Sequence, residues 1–296
     1  TTTGPLGQGI ATAVGMAIAE SHLNAKFGDD VVDHNTWVIA GDGCLMEGVS
    51  QEAITLAGHM KLNKLIVLWD DNNVTIDGAL DVADETDQIK RFEAAGWAVA
   101  AIDGHDPTAI DQALEWAKSS DRPVMIACKT RIGYGAPTIE GTGKAHGGPY
   151  GASEIEGIRK NIGWDHAPFV VPEDVLTTWR EAGARGAATR TEWEGRLAAS
   201  DKQAEFTAAM DRVIPAELAD VMKAHKQAVS DGQEKKATRQ WSGAALEVAT
   251  KVLPTMIGGS ADLTGSNNTK TSSTGPLTSG DYAGRYIHYG VREHGM

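Results

Sequence analysis

Two short polar motifs carry the residue types of a divalent-cation site. The first is Gly-Asp-Gly at 41–43 and the second is Asp-Asp-Asn-Asn at 70–73, and each comes directly after an apolar run. Asp and Asn side chains supply hard oxygen ligands, which suit Mg²⁺ or Ca²⁺ and do not suit Zn²⁺. The glycines on either side of Asp42 would let the backbone come close to a phosphate group. Each motif alone is more typical of an ordinary turn, so a cation site requires the fold to bring the two together.

The segments around these motifs predict a βαβ unit. Apolar strands are expected at 37–40 and 65–69, with a helix over 50–60 between them. A right-handed crossover of this kind makes the two strands parallel, and open parallel sheets bind ligands outside the carboxyl ends of their strands. Asp42 and Asn72 should therefore lie side by side at that edge, where they could hold Mg²⁺ on a phosphate-bearing ligand.

The same pattern continues along the first half of the chain. Two more strands are predicted at 98–102 and 124–127, with a helix over 108–119 between them and another helix over 10–20. Helices that alternate with short apolar strands are typical of an α/β fold, here a doubly wound parallel sheet that is covered on both faces.

The pattern changes in the second half. From about 172 to 234 the chain is polar and Ala-rich without a strand signal, which predicts helices that connect two domains. A predicted helix over 241–252 then leads into an apolar segment at 256–262, which is typical of the start of another α/β domain. We therefore predict a first domain at 1–200, a helical connection at 201–234 and the beginning of a second domain at 235–296.

Several apolar residues and one thiol near the motifs are interpreted as structural. Met16, Trp37 and Trp69 fit core positions. Cys44 is interpreted as a buried structural thiol, because a nucleophilic cysteine needs a base partner and the sequence places no His beside it.

The composition excludes several classes of function. The 296 residues carry a formal net charge of −13, which argues against a nucleic-acid partner or an anionic membrane surface. Only two cysteines are present, so a disulfide framework is excluded and a reducing, cytoplasmic location is predicted. No apolar run approaches the roughly 20 residues that span a bilayer, and no signal peptide is recognisable. An anionic substrate is still compatible with this charge if a few cations are concentrated locally.

Four strings, in this order, resemble those of the transketolase family of thiamine-diphosphate enzymes. They are Thr-Gly-Pro-Leu-Gly-Gln-Gly at 3–9, Gly-Asp-Gly-Cys-Leu-Met-Glu-Gly at 41–48, Gly-Ser-Ala-Asp-Leu-Thr at 259–264 and Tyr-Gly-Val-Arg-Glu-His-Gly-Met at 289–296. The resemblance covers essentially the whole chain and implies the thiamine-diphosphate-binding fold. The first predicted domain would then bind the diphosphate, and the second would be the beginning of a pyrimidine-binding domain.

The resemblance implies two cofactors, thiamine diphosphate and Mg²⁺, and Ca²⁺ or Mn²⁺ could replace Mg²⁺. In the family an Asp, an Asn and a backbone carbonyl hold the metal on the diphosphate. The corresponding groups of this chain are Asp42, Asn72 and the carbonyl of Val74. The residues implied in cofactor binding are Gly4, Pro5, Leu6, Gly43, Asn72 and His146.

Glu293 and His146 are the implied catalytic residues. In the family this Glu hydrogen-bonds the aminopyrimidine ring of the cofactor and promotes its imino tautomer. His146 matches a family His that contacts both the diphosphate and the substrate, although the family usually has Ser where this chain has Ala145. Arg239 and Ser266 match the clamp for the substrate phosphate. A planar Arg fork and a hydroxyl donor both suit that task.

The implied activity is reversible transfer of a two-carbon ketol unit from a ketose phosphate, such as xylulose 5-phosphate, to an aldose phosphate, such as ribose 5-phosphate. This is a reaction of the pentose phosphate pathway and the Calvin cycle. The implied partners are sugar phosphates and a second subunit, in a homodimer whose active site lies at the interface. Alternatives are a dihydroxyacetone synthase-like ketol transferase and an inactive, truncated or regulatory transketolase-like protein. A dinucleotide-binding oxidoreductase is disfavoured, because residues 4–9 lack the Gly-x-Gly-x-x-Gly spacing.

The termini suggest a piece of a longer protein. The chain begins without Met, and its last residues fall inside a family string. We therefore expect an internal fragment that lacks the N-terminus and the C-terminal half of a transketolase, and we expect the fragment alone to be inactive.

Overall fold

Residues 2–296 are described by a computed structural model and fall into two units. The first unit contains the residues up to Ala17 together with Asn35–Gly195, and the second contains Ile18–His34 together with Arg196–Met296. Helices α1 (Gln8–Phe27) and α7 (Glu173–Ala199) each have residues in both units.

The first unit alternates strands with helices, as an α/β fold requires. Asp87 accepts a hydrogen bond from the N–H of Lys90, and Asp106 accepts one from the N–H of Thr108. These contacts cap the first turns of the helices Gln88–Ala94 and Pro107–Lys118, which is why the two helices begin at these residues. The elements are α1 Gln8–Phe27, β1 Thr36–Gly41, α2 Asp42–Met46, α3 Gly48–His59, β2 Leu65–Asp71, β3 Val74–Thr75, β4 Gly78–Ala79, α4 Gln88–Ala94, β5 Ala98–Asp103, α5 Pro107–Lys118, β6 Val124–Lys129, α6 Ala152–Asn161 and α7 Glu173–Ala199.

A four-stranded parallel sheet forms the centre of the first unit, with the strand order β1-β2-β6-β5. Thr36 lies opposite Leu65 where the β1–β2 pair starts, and Gly41 lies opposite Asp70 where it ends. The predicted parallel βαβ arrangement is therefore confirmed. The carboxyl ends of β1 and β2 meet at one edge of the sheet, which is the edge expected to bind ligands.

The two central strands are buried within the core. Side chains on both faces of β2 and β6 are buried, among them Ile66, Val67 and Ile126. Continuous burial of this kind is typical of parallel strands that are covered by helices on both faces. Ala113 and Ala117 of α5 pack against one face of these strands.

Strand β1 forms an edge of the sheet and is more exposed than the sequence suggested. Trp37 is 42% exposed and Ile39 is 82% exposed on this strand, and Met16 of the adjoining helix α1 is 48% exposed. The prediction that Met16 and Trp37 are core residues is therefore wrong. Trp69, on the neighbouring strand β2, is 7% exposed, so its predicted core position is confirmed. Cys44 is only half-buried, so its predicted burial is overstated.

The second unit is mainly helical and carries a small parallel sheet. The pairing of β7 with β8 runs from Gly258 opposite Tyr286 to Ser260 opposite His288. The ring of Phe27 packs edge to face on the ring of Phe206, with centroids 5.3 Å apart. Both residues belong to an apolar cluster of this unit. The helical character predicted for 201–234 is confirmed. The elements after α7 are α8 Gln203–Met210, α9 Glu217–Gly232, α10 Thr238–Val252, β7 Gly258–Ser260, α11 Thr264–Asn267 and β8 Tyr286–His288.

The loop after α11 is fixed by two charged side chains. The Arg285 guanidinium donates to the carbonyl of Thr250 at 3.0 Å and to that of Ser273 at 2.9 Å, so it joins the end of α10 to the loop. The Glu247 carboxylate accepts both the N–H and the hydroxyl of Ser272. These bonds lower the pKa of Glu247 to about 2. The loop is therefore held against α10 by charge-assisted hydrogen bonds.

Within residues 2–296, the structure contains no helix that is long and apolar enough to cross a membrane.

Two helical glycines allow a matched test of packing in the first unit. A Cβ on Gly58 of α3 would lie 1.8 Å from the carbonyl oxygen of Ala95, whereas a Cβ on Gly15 of α1 would meet nothing within 4 Å. We expect Gly58→Ala to lower the free energy of unfolding by about 3 kcal/mol, because backbone must move to admit the methyl group. Gly15→Ala should raise the free energy of unfolding by up to about 1 kcal/mol. Urea denaturation measures the free energy of unfolding of both variants. Equal changes in the two variants would contradict the close approach of Gly58 to Ala95.

Candidate functional site

Asp42 is a buried carboxylate at the carboxyl end of the first strand. It follows β1 directly and is 6% exposed. The Trp69 indole N–H donates to Oδ1 of Asp42 at 2.9 Å. The other oxygen, Oδ2, is buried and accepts no hydrogen bond from residues 2–296. An unpaired buried carboxylate oxygen is costly, and a bound cation would remove that cost.

The surroundings of Asp42 favour its protonated form when no cation is present. Burial raises the pKa of this carboxyl above its ordinary value of 3.8, and the nearby charges of Asp71 and Asp70 raise it further. The hydrogen bond from Trp69 lowers the pKa of Asp42, and the backbone N–H of Asn73 has a smaller effect in the same direction. A divalent cation beside Asp42 would reverse this balance, because an adjacent positive charge stabilises the ionised carboxylate.

Asn72 lies in the turn that follows β2, at the same edge of the sheet. Its side-chain oxygen accepts the N–H of Val74 at 3.0 Å, and its amide nitrogen donates to Oδ2 of Asp70 at 3.0 Å. Gly41 pairs with Asp70, so the two motifs end at the same edge of the sheet. One lone pair of the Asn72 oxygen is used by the chain itself, which leaves one for a cation.

A cavity of about 480 Å³ opens beside Asp42. Its floor includes Asp42 and Trp69, and Asp71 and Asn73 also line it, whereas Asn72 does not. Sequence reasoning missed Asp71 and Asn73. Asp71 lies two residues after Trp69 on β2, so the alternation of side chains along this strand was a signal for Asp71. Asn73 lies beyond the strand with a φ of +59°, and no strand periodicity applies to it. The remaining lining residues come from 79–89.

No group of three or more His, Cys, Asp or Glu side chains is placed to hold a metal ion within the described part of the chain. A metal at Asp42 would therefore need amide and carbonyl oxygens, with phosphate oxygens or water completing its coordination. Mg²⁺ is commonly bound in that way, because it retains several waters and takes few protein ligands. The donor set fits Mg²⁺ bound together with a diphosphate.

The loop at 4–7 packs against the start of α2. A Cβ on Gly43 would lie 3.1 Å from Cδ1 of Leu6. Gly7 has a φ of +77°, and a Cβ there would lie 2.8 Å from Cβ of Glu47. The structure thus brings Leu6 and Gly43 together, and Gly4 and Pro5 lie on the same loop. Glycine at positions 7 and 43 allows the loop and the helix to come this close, because it has no side chain.

His146 follows a short 3₁₀ turn, Gly143–Ala145, in the same unit. A Cβ on Gly143 would lie 3.3 Å from the carbonyl oxygens of Thr75 and Ile76, so this loop packs on the β3–β4 hairpin that follows Asn72. The side chain of His146 is exposed, while Ala145 is buried. His146 is therefore available to a ligand on the side of the unit where the hairpin lies.

Arg239 and Ser266 lie on neighbouring elements of the second unit. Arg239 is in the first turn of α10, and Ser266 is in α11. The two helices touch where Gly243 meets Asn268, since a Cβ on Gly243 would be 2.8 Å from the Asn268 carbonyl oxygen. Both Arg239 and Ser266 are exposed. Their placement is compatible with a shared phosphate contact.

Glu293 lies in the turn after β8 and is exposed. Its neighbour Arg292 donates to the carbonyl of Tyr289 at 2.6 Å, which shapes the turn that presents Glu293. Tyr289 in turn packs on Gly259 of β7, because a Cβ there would lie 2.4 Å from its ring. Glu293 is thus carried by the small β7–β8 sheet of the second unit.

The first unit has the thiamine-diphosphate-binding α/β fold, and two family profiles match the chain. The profile described as the thiamine diphosphate binding domain of transketolase matches residues 1–219, and the one described as its pyrimidine binding domain matches residues 234–296. The chain belongs to the transketolase family.

Curated relatives and solved structures agree with this assignment. The transketolase of Rhodobacter capsulatus is 54% identical over 298 residues, and that of Sinorhizobium medicae is 50% identical over 296. Each match covers 100% of this chain, but only 44% and 43% of those relatives, so the chain spans less than half of their length.

Two solved transketolases illustrate the structural similarity. The enzyme of Leishmania mexicana has a TM-score of 0.90 and 38% identity, over 100% of this chain and 45% of that one. A mutant from Pichia stipitis in complex with xylulose 5-phosphate has a TM-score of 0.91 and 37% identity, over 99% of this chain and 45% of that one.

Asp42→Asn tests the buried carboxylate through stability. Because the folded pKa of Asp42 is raised above 3.8, ionisation of this group destabilises the metal-free fold, and the penalty appears as pH rises through and above that value. We expect Asp42→Asn to raise the melting temperature of the metal-free protein near pH 7 and to lose this advantage in acid. Asp111→Asn, an exposed change on α5, is the control. A lower melting temperature for Asp42→Asn at neutral pH, with the control unchanged, would contradict this account.

Proposed function

We propose that the protein containing this chain is a transketolase that transfers a two-carbon ketol unit from a ketose phosphate, such as xylulose 5-phosphate, to an aldose phosphate, such as ribose 5-phosphate. The observation that carries the proposal is the buried Asp42 oxygen without a donor, at the carboxyl edge of a parallel sheet. This group supports the binding of a cation at that edge. The proposed setting is the pentose phosphate pathway or the Calvin cycle, in the cytoplasm.

Asp42, Asn72 and the carbonyl of Val74 are proposed to hold Mg²⁺, and Ca²⁺ or Mn²⁺ could replace it. Gly4, Pro5, Leu6, Gly43, Asn72 and His146 are proposed to contact thiamine diphosphate. Leu6 and Gly43 are in contact, so two of the residues proposed to bind the cofactor lie on one surface, which supports this assignment. When bound, thiamine diphosphate supplies an electron sink for cleavage of a carbon–carbon bond.

Glu293 is proposed to exchange a proton with the aminopyrimidine ring of the cofactor. His146 would donate a hydrogen bond to the diphosphate and to the substrate. Arg239 would bind the substrate phosphate through its planar fork, and Ser266 would donate its hydroxyl to the same group. The contact between α10 and α11 supports the pairing of Arg239 with Ser266.

We further propose that residues 1–200 form the diphosphate-binding domain, that 201–234 connect the domains and that 235–296 begin the pyrimidine-binding domain. The proposed assembly is a homodimer with the active site at the subunit interface. The matched fraction of the relatives supports the view that the chain is an inactive part of a longer enzyme.

Glu293→Gln in the natural full-length protein tests the activity and the role of the carboxylate together. We expect the wild type to transfer ketol units from xylulose 5-phosphate to ribose 5-phosphate, and we expect the variant to lose about 10²- to 10⁴-fold in kcat. Binding of thiamine diphosphate, measured by calorimetry, should change much less. Glu217→Gln, an exposed change in α9, is the control.

Two results would contradict the proposal. Full activity of Glu293→Gln would contradict the proposal that this carboxylate exchanges a proton with the cofactor. A preference of the wild type for formaldehyde as acceptor would favour a dihydroxyacetone synthase instead.

A further inference from the structure

The carboxamide of Asn72 is held at both ends by groups that distinguish its oxygen from its nitrogen. The backbone N–H of Val74 donates to Oδ1 of Asn72 at 3.0 Å. Nδ2 of Asn72 donates to Oδ2 of Asp70, also at 3.0 Å. A backbone N–H only donates and an ionised carboxylate only accepts, so a flipped carboxamide would lose both hydrogen bonds. The carboxamide therefore has one favoured orientation.

The carboxylate of Asp70 is in turn held from the neighbouring strand. Thr130 follows β6 directly, and its N–H donates to the carbonyl of Asp71 at 3.1 Å. The hydroxyl of Thr130 donates to Oδ1 of Asp70, which is the oxygen that Asn72 does not use. Each oxygen of Asp70 thus has a donor, and the two donors fix the orientation of the carboxylate.

This chain of hydrogen bonds decides which atom Asn72 offers to a cation. An amide oxygen is a hard ligand that suits Mg²⁺, whereas an amide NH₂ group is a hydrogen-bond donor. Because Asp70 takes the nitrogen, the oxygen lies on the side of Val74, whose carbonyl is the other ligand proposed on this loop. The Val74 N–H also ties these two residues to each other.

We propose that Asp70 is a positioning residue for the cation, because it binds the amide nitrogen of Asn72 and so directs the amide oxygen to the metal. Thr130 holds Asp70 in place. This inference rests on the proposed function, since it assumes that Asn72 is a ligand of the cation. Replacing a hydrogen-bond partner of a metal ligand commonly weakens metal binding by about 10- to 100-fold.

Asp71 offers a control that separates positioning from charge. Its carboxylate pairs with Lys129 at 3.2 Å and does not bind the Asn72 amide. The charge of Asp71 raises the pKa of Asp42 more than the charge of Asp70 does. Asp71→Asn therefore removes a negative charge that acts at least as strongly on Asp42, and it leaves the contact between Asp70 and Asn72 intact.

The test measures Mn²⁺ binding to the natural full-length protein saturated with thiamine diphosphate, by electron paramagnetic resonance of the free ion. Asp70→Asn is compared with Asp71→Asn and with Asp42→Asn. Thr130→Val removes the hydroxyl without changing any charge, and Thr130→Ser restores it. The melting temperature of each variant shows whether it is folded.

We expect Asp70→Asn to raise the Kd for Mn²⁺ by about 10- to 100-fold. Asp71→Asn should raise it by only about two- to fivefold, because the charge that it removes is partly screened. Thr130→Val should raise the Kd by about three- to tenfold, since it acts through Asp70, and Thr130→Ser should return it to within about twofold of wild type.

Equal increases for Asp70→Asn and Asp71→Asn would assign the effect to charge and overturn the positioning role. Thr130→Val with the Kd of wild type would overturn it as well, and this pair of Thr130 variants decides the question if Asp70→Asn does not fold. Unchanged binding by Asp42→Asn, or no binding by wild type, would instead overturn the metal site of the proposed function, and this inference with it.

Discussion

The candidate site depends on one electrostatic constraint, which is that the fold buries the carboxylate of Asp42 without a donor for one of its oxygens. The parallel pairing of β1 with β2 imposes this position, because it places the residue after Gly41 next to the polar end of β2. Trp69 satisfies only one oxygen. Stability alone would favour an apolar residue or a second donor here, so the position is understandable only if something positive binds.

Close approaches of neighbouring segments to glycines give this site its shape. Gly43 admits Leu6, and Gly143 admits the carbonyl oxygens of the β3–β4 hairpin. Gly58 does the same for Ala95, farther from the site. A methyl group at Gly58 would force backbone apart, whereas at Gly43 and Gly143 the neighbouring atoms would have to give way by a few tenths of an ångström.

Much of the fold could be predicted because its strands are short apolar runs with polar ends. The pairing of β1 with β2, and the shared sheet edge at which their polar motifs lie, followed from that pattern. The exposure of Trp37 could not be predicted, because apolar character does not reveal which strand lies at an edge. The part of the cavity lining that comes from Asn73 and 79–89 was missed, because most of these residues lie outside the strands and helices that the pattern predicted. The roles of Glu293, Arg239 and Ser266 came from family resemblance and not from local chemistry.

The exposed edge strand β1 has a consequence for the behaviour of this chain in solution. In the described part of the chain β1 pairs only with β2, its residue Ile39 is 82% exposed, and the strand has no charged or proline residue to block further pairing. Such an edge is a template for intermolecular strand pairing. Self-association through β1 would bury Trp37 as well, so its fluorescence would depend on protein concentration even when neither unit unfolds.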